Sequence, residues 1–150
     1  MSKIVGVINN FDGEYAFLSN FYDSPIKGDD GITYPTVEHF FQAMKTEDLD
    51  YRRRISWAST PGIAKRMGRT LQLRPDWEAV KEDYMHIALI KKFADPKLKE
   101  KLLATGDAVL VEGTTWHDCY WGVCNCEKCA GNGLNRLGHH LSRVRDFYKQ

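Results

Sequence analysis

The stretch YPTVEHFFQAMK, Tyr34 to Lys45, decides how this chain is read. Thr36 follows Pro35 and is a good helix N-cap. Val37, Phe40, Phe41 and Met44 then recur at helical spacing. The spacing predicts an amphipathic helix that buries one face. Its polar residues are less ordinary. At about 100° per residue, Gln42 lies roughly 40° from Glu38 and Lys45 roughly 20° to the other side. An acid, an amide and an amine therefore form one stripe, and that stripe borders the apolar face instead of opposing it. A carboxylate so placed is partly desolvated. An amine there is a candidate nucleophile. The plainer alternative is a solvated edge, with Glu38 in the first turn where the helix dipole favours an acid.

Working outward, the flanks are also helical. LDYRRRISWA predicts a second helix. Thr60-Pro61 predicts the start of a third, ending at Gly68. Asp76 caps the long stretch WEAVKEDYMHIALIKKF, and Asp95-Pro96 opens a fifth helix that runs to near Gly106. Leu134, Leu137, Leu141, Val144 and Phe147 or Tyr148 mark a last amphipathic helix. Strand signals are short: KIVGVI at residues 3 to 8, ITY after the turn-rich SPIKGDDG, and AVLVE at 108 to 112. No strand–helix alternation suggests a doubly wound sheet. The expectation is an α+β fold, a helix-rich single domain over residues 1–150, with several helices packed around a small sheet of short strands.

Composition narrows the function. The chain has 150 residues, 43% hydrophobic and 27% charged, as in a globular protein with a real core. No apolar run is long enough to span a membrane, and the N-terminus lacks a signal-like apolar segment. Cytoplasmic residence and no membrane partner are expected. A net charge of +1 argues against a domain dedicated to coating nucleic acid. Basic residues do bunch, at Arg52 to Arg54 and at Lys65, Arg66 and Arg69.

All four cysteines, Cys119, Cys124, Cys126 and Cys129, fall within the aperiodic stretch from Gly113 to Gly133. A disulfide framework would spread them out. The pattern C-x4-C-x-C-x2-C instead predicts a local metal site, with the Cys126–Cys129 pair as its familiar part. One structural zinc on the four cysteines is the expectation. His117, His139 and His140 are rivals for the fourth position. Reduced thiols without metal are the alternative.

Beyond these local readings, the chain resembles one family along most of its length. PTVEHFFQAMK is similar to the signature helix of the NADAR superfamily, the YbiA-like proteins. FLSNFY (17 to 22), AKRMGR (64 to 69) with DWEAVKEDYM (76 to 85), LVEGTTWHDCYWG (110 to 122) and NRLGHHLSRVR (135 to 145) resemble its other blocks, in the family's order. The resemblance implies an enzyme, a hydrolase of N-glycosidic bonds on ribose-phosphate compounds. YbiA-like members act on early intermediates of riboflavin synthesis. Other members remove ADP-ribose from guanine bases, so ADP-ribosylated nucleic acid is the alternative substrate. A non-catalytic module binding ADP-ribose or NAD is a third reading. No organic cofactor is implied.

The resemblance matches Glu38, Lys45, Trp77 and Asp118 to catalytic positions. Glu38 suits stabilisation of positive charge on the ribose or activation of water. Lys45 suits either a cation for phosphate or a Schiff-base amine. Trp77 offers a face for a base to stack on, or else a core aromatic. Asp118 would hold a ribose hydroxyl or assist the leaving group, or else form an Asx-turn. For substrate binding the candidates are Asn20 and Phe21 in LSNFY, Gln42, Arg66 and Arg69 for phosphate, and Trp121 with Gly122 in YWG.

Overall fold

Seven residues make a marginal helix, so the first helix, α1 (Val37–Ala43), depends on its ends. The Thr36 hydroxyl accepts the His39 N–H at 3.1 Å and meets His39 Nδ1 at 2.8 Å. His39 Nε2 lies 2.9 Å from the Ala58 carbonyl. A carbonyl only accepts, so Nε2 carries a proton. Both ring nitrogens of the buried imidazole are thus used. At the other end, Arg52 Nε donates to the carbonyls of Thr46 (2.8 Å) and Ala43 (3.3 Å). A cation there matches the negative end of the helix.

The computed structural model describes residues 6–150. Among them are six α-helices, one 3-10 turn (Gly13–Leu18) and six strands of two residues each. The remaining helices are α2 (Leu49–Ser56), α3 (Pro61–Arg69), α4 (Trp77–Phe93), α5 (Pro96–Ala104) and α6 (Arg136–Lys149). The strands are β1 (Val7–Ile8), β2 (Ile26–Lys27), β3 (Thr33–Tyr34), β4 (Val109–Leu110), β5 (Gly113–Thr114) and β6 (Val123–Cys124). The fold is α+β and helix-rich. No helix among the described residues is long and apolar enough to cross a membrane.

The chain divides into two compact units. One is residues 20–92. Here α1 packs on α2 and α3, and the antiparallel pair β2–β3 sets Ile26 opposite Tyr34. Tyr34 is fully buried, edge-on to Phe40, and its hydroxyl donates to Asp30 at 2.8 Å. Burial, with the Asp30 carboxylate, holds that phenol well above its ordinary range. Arg52 Nη1 completes the group with a 3.2 Å ion pair to the same Asp30 oxygen, the two side chains being 11% and 5% exposed.

The other unit is residues 1–19 and 93–150. Its pairs β1–β4 and β5–β6 are both parallel, with Ile8 beside Leu110 and Thr114 beside Cys124. Leu98, Leu102, Leu137, Leu141 and Val144 supply its helical core. Arg145 is buried among them and donates to Thr105 Oγ1 (2.8 Å) and the Ala108 carbonyl (2.9 Å).

Details of these elements differ from the sequence reading. The strands form three separate pairs instead of one small sheet. Among the described residues the first strand is Val7–Ile8, and residues 3 to 5 of KIVGVI lie outside them. The third helix runs one residue past Gly68, to Arg69, and Thr70 caps it. The stretch Gly113 to Gly133 is not structureless, for it holds the β5–β6 pair. Two-residue strands are too short to display an alternation, so periodicity could not find them. Leu134 precedes α6 and is exposed.

Arg52→Met removes the cap of α1 and leaves Asp30 buried without its cation. We expect a loss of about 3 kcal/mol, the usual scale for breaking a buried pair. Urea denaturation measures it, and a change under about 0.5 kcal/mol would refute the dependence.

Candidate active site

Glu38 enters through the cap of α1. Its N–H donates to the Asn20 carbonyl at 3.1 Å, and its side chain is only 8% exposed. One turn later Gln42, 4% exposed, donates Nε2 to Glu38 Oε2 at 2.5 Å. The other amide atom, Gln42 Oε1, is buried with no hydrogen-bond partner among the described residues. It lies against Gly68 of α3, where an added Cβ would overlap it. A glycine there lets the Gln42 amide sit between the backbone of α3 and the carboxylate of Glu38.

Lys45 follows on the same stripe, half-buried. Its carbonyl accepts the Arg74 N–H at 2.8 Å. Burial pushes the Lys45 ammonium below its ordinary range. The Glu38 carboxylate opposes that, while Arg69 and Lys65 push it down further. The three cations and Glu38 therefore share one electrostatic neighbourhood. The geometry of α3 explains which of its bases take part. Ala64 and Gly68 are its buried face. Relative to that face, Lys65 lies about 80° round the helix, Arg69 about 120° and Arg66 about 180°. Arg66 is thus on the opposite side from the Gln42 contact, and it is exposed.

Asn20 and Phe21 stand beside the entry to α1. Asn20 Nδ2 points to Met85 Sδ (3.7 Å), and its Oδ1 is buried with no hydrogen-bond partner among the described residues. Phe21 is 45% exposed. Trp77 is 5% exposed, stacked on Tyr84 with centroids 6.5 Å apart and tilted against Phe41 at 5.1 Å. Its surroundings are those of a core aromatic at the start of α4. The Asp76 carbonyl accepts the first helical N–H bonds there, while its carboxylate pairs with Arg74 at 2.6 Å.

The remaining sequence candidates share a different unit and one loop. Asp118 Oδ1 accepts the N–H groups of Tyr120 (3.2 Å) and Trp121 (2.9 Å), an Asx-turn. The carbonyls of Tyr120, Trp121 and Gly122 accept the N–H groups of Arg136, Leu137 and Asn135. This short run therefore satisfies donors at the start of α6 that the helix itself leaves unpaired. Trp121 tilts over His140 at 6.2 Å. Gly122 is buried, and a Cβ there would meet the Glu112 carbonyl. That glycine is required by the β5–β6 pairing.

His117, Cys124, Cys126 and Cys129 place one ligand atom each within 4.8 Å of one another. This group can hold a metal ion. The Cys119 thiol lies beside that of Cys129 but outside the group. The structure therefore puts His117 where the spacing suggested Cys119. His117 sits in the left-handed region at φ 67°, a conformation that costs a non-glycine residue about 1 kcal/mol. His139 is exposed and His140 is buried against Trp121, and neither joins the group.

Known proteins resemble this chain along most of its length. The NADAR domain model matches residues 8–148. N-glycosidase YbiA of Escherichia coli is 46% identical over 136 residues, 89% of this chain and 81% of that protein. The chain belongs to the NADAR domain family. The NMR structure of E. coli YbiA superposes on the NADAR chain with a TM-score of 0.81 at 42% identity, covering 99% of this chain and 88% of that one. Riboflavin biosynthesis protein PYRR, chloroplastic, of Zea mays is 37% identical over 161 residues, 96% of this chain and 25% of that protein. Like its N-glycosidase relative, the NADAR chain is an enzyme, a hydrolase of N-glycosidic bonds.

Two features of this NADAR site escaped sequence reasoning. Lys65 appears in the sequence only as one of a run of bases. The signal was its place four residues before Arg69, on the flank of a face fixed by Ala64 and Gly68. Gly68 reads as a helix terminator, but its missing side chain is what admits Gln42.

That reading has a sign that propensity alone would reverse. Gly→Ala inside a helix ordinarily stabilises by up to about 1 kcal/mol. Here Gly68→Ala should destabilise by about 1–3 kcal/mol through overpacking. Adding Gln42→Ala should recover most of that loss. Denaturation of the two single variants and the double gives the coupling, and additive effects would refute the contact.

Proposed function

We propose that this NADAR enzyme hydrolyses the C1′–N glycosidic bond of a small phosphoribosyl compound, of the kind found early in riboflavin synthesis. The observation that carries the reading is the pairing of buried Glu38 with half-buried Lys45, beside Arg69 and Lys65. A carboxylate next to a sugar stabilises the positive charge that grows on C1′ as the base departs. It also directs a water. The water oxygen bonds to C1′, the C1′–N electron pair leaves with the base nitrogen, and that nitrogen gains a proton. Arg69 and Lys65 supply the positive charge that phosphate oxygens need. A maize relative named for riboflavin biosynthesis supports the choice of substrate.

Lys45 has a lowered ammonium affinity for its proton, which favours an amine nucleophile. On this reading its nitrogen attacks the aldehyde carbon of the opened sugar, water departs, and a second water later hydrolyses the imine. Asn20, Phe21 and Gln42 line the approach to Glu38, with Gln42 orienting the carboxylate. Trp77 acts as a positioning residue through Phe41 and Tyr84. Asp118 is assigned by resemblance, and Trp121, Gly122 and Arg66 by the chemistry of their residue types. The metal of the His117 group is on this reading a structural zinc ion, since four protein ligands leave no open position for water.

Base release from a riboflavin-pathway intermediate, from NAD and from ADP-ribosylated guanine DNA tests the assignment. The first should be turned over fastest. Preference for the DNA would move the assignment to ADP-ribose removal, and no release from any of the three would refute it. Glu38→Gln should lower kcat by about 100-fold or more. Borohydride added during turnover should leave a covalent adduct on Lys45, detected by mass spectrometry. Turnover without that adduct would leave Lys45 as a cation only.

The charges around Lys45 predict its pH dependence. Arg69 lowers the Lys45 pKa, so Arg69→Ala should raise it. Glu38 raises it, so Glu38→Gln should lower it. The neutral amine, and with it the rate of Lys45 acetylation by acetic anhydride, should appear at higher pH in the first variant and at lower pH in the second. Unmoved profiles would contradict this electrostatic arrangement.

A further inference from the structure

We infer that His117, not Cys119, completes the metal site with Cys124, Cys126 and Cys129, and that the bound ion clamps the segment between them. This rests on the zinc reading given above and extends it to a ligand set. A tetrahedral zinc with bonds of about 2.3 Å to sulfur and about 2.0 Å to nitrogen separates its donors by roughly 3.5–3.8 Å. His117 Nδ1 is 3.3 Å from Cys129 Sγ and 3.4 Å from Cys126 Sγ. All four donors lie within 4.8 Å of one another. Small closing movements bring them onto one ion.

The second shell is also built for thiolates. The His117 N–H points to Cys124 Sγ at 3.3 Å, and the Cys129 N–H points to Cys126 Sγ at 3.3 Å. Backbone donors aimed at a ligating sulfur spread its negative charge and fix its direction. The left-handed backbone of His117 turns both its N–H and its ring toward the sulfurs. Cys119 is differently employed. Its N–H bonds to the His117 carbonyl and its carbonyl accepts the Leu134 N–H. Its thiol lies beside that of Cys129 and outside the group of four donors.

The ion would tie residue 117 to residues 124–129. Between those points lie Asp118, whose carboxylate holds the turn, and the carbonyls of Tyr120 to Gly122, which hold the start of α6. Zinc thereby closes a bracket around the segment that ends this unit's last loop.

Full-length protein purified without added metal should carry about one zinc per chain. X-ray absorption at the zinc edge should find one nitrogen and three sulfur ligands. Cys119→Ser should keep the zinc and the same spectrum, while His117→Ala should bind zinc more than about 100-fold more weakly, beyond the cost of losing a group that only supports a ligand. A four-sulfur spectrum, or equal loss of zinc in Cys119→Ser and His117→Ala, would overturn the ligand set while leaving zinc in place. Protein free of metal that also fails to take up zinc when titrated would overturn both the ligand set and the zinc reading.

Discussion

The carboxylate of Glu38 is held by an amide that has nowhere else to go. Gln42 is confined between the backbone of Gly68 and the first turn of α1, so its Nε2 faces Glu38. Helix packing and the orientation of the acid are therefore one constraint. Where α1 meets α3 decides how close the amide stands. The cap at Thr36 decides where along α1 the acid stands, and the Asn20 carbonyl receives the N–H of Glu38 itself. A side chain on Gly68 would force the helices apart, or the amide out of line. A buried polar group is costly unless paired, and here the Gln42 nitrogen is paired with the Glu38 carboxylate.

The same packing places Lys45 in a mixed field. Removal from water disfavours its charge, one carboxylate favours it, and two cations disfavour it again. The result is an amine poised differently from a surface lysine, although its neighbours in sequence are ordinary. Arg69 reaches this field and Arg66 does not, because α3 turns about 100° per residue and its buried face is fixed by Ala64 and Gly68.

Much of this was legible in the sequence. Caps and periodicity gave the six helices nearly to the residue, and Thr36, Thr60 and Asp95 each accept the N–H that a cap should. The stripe of Glu38, Gln42 and Lys45 followed from spacing, and the family's blocks raised its standing. The strands were less visible, because pairs of two residues have no period. Trp77 illustrates a different limit. Its place after Asp76 suggested a face open for stacking, but only the packing reveals Tyr84 and Phe41 around it. The fourth member of the thiol cluster was hidden for a conformational reason. Spacing favours a cysteine near the others, whereas the αL turn at His117 is what brings an imidazole among them.

The shortness of α1 has a consequence for how this enzyme exists in time. Seven residues cannot sustain a helix alone, and both ends of α1 are held from elsewhere in the unit, by the Ala58 carbonyl and the Arg52 side chain. No local fragment can carry the acid, amide and amine in register. The reactive stripe is present only in molecules whose surrounding helices are already docked, so opening of those helices and loss of the stripe are a single event. A ligand that recognises the stripe binds that docked population alone, and by mass action it draws the whole unit toward the folded side.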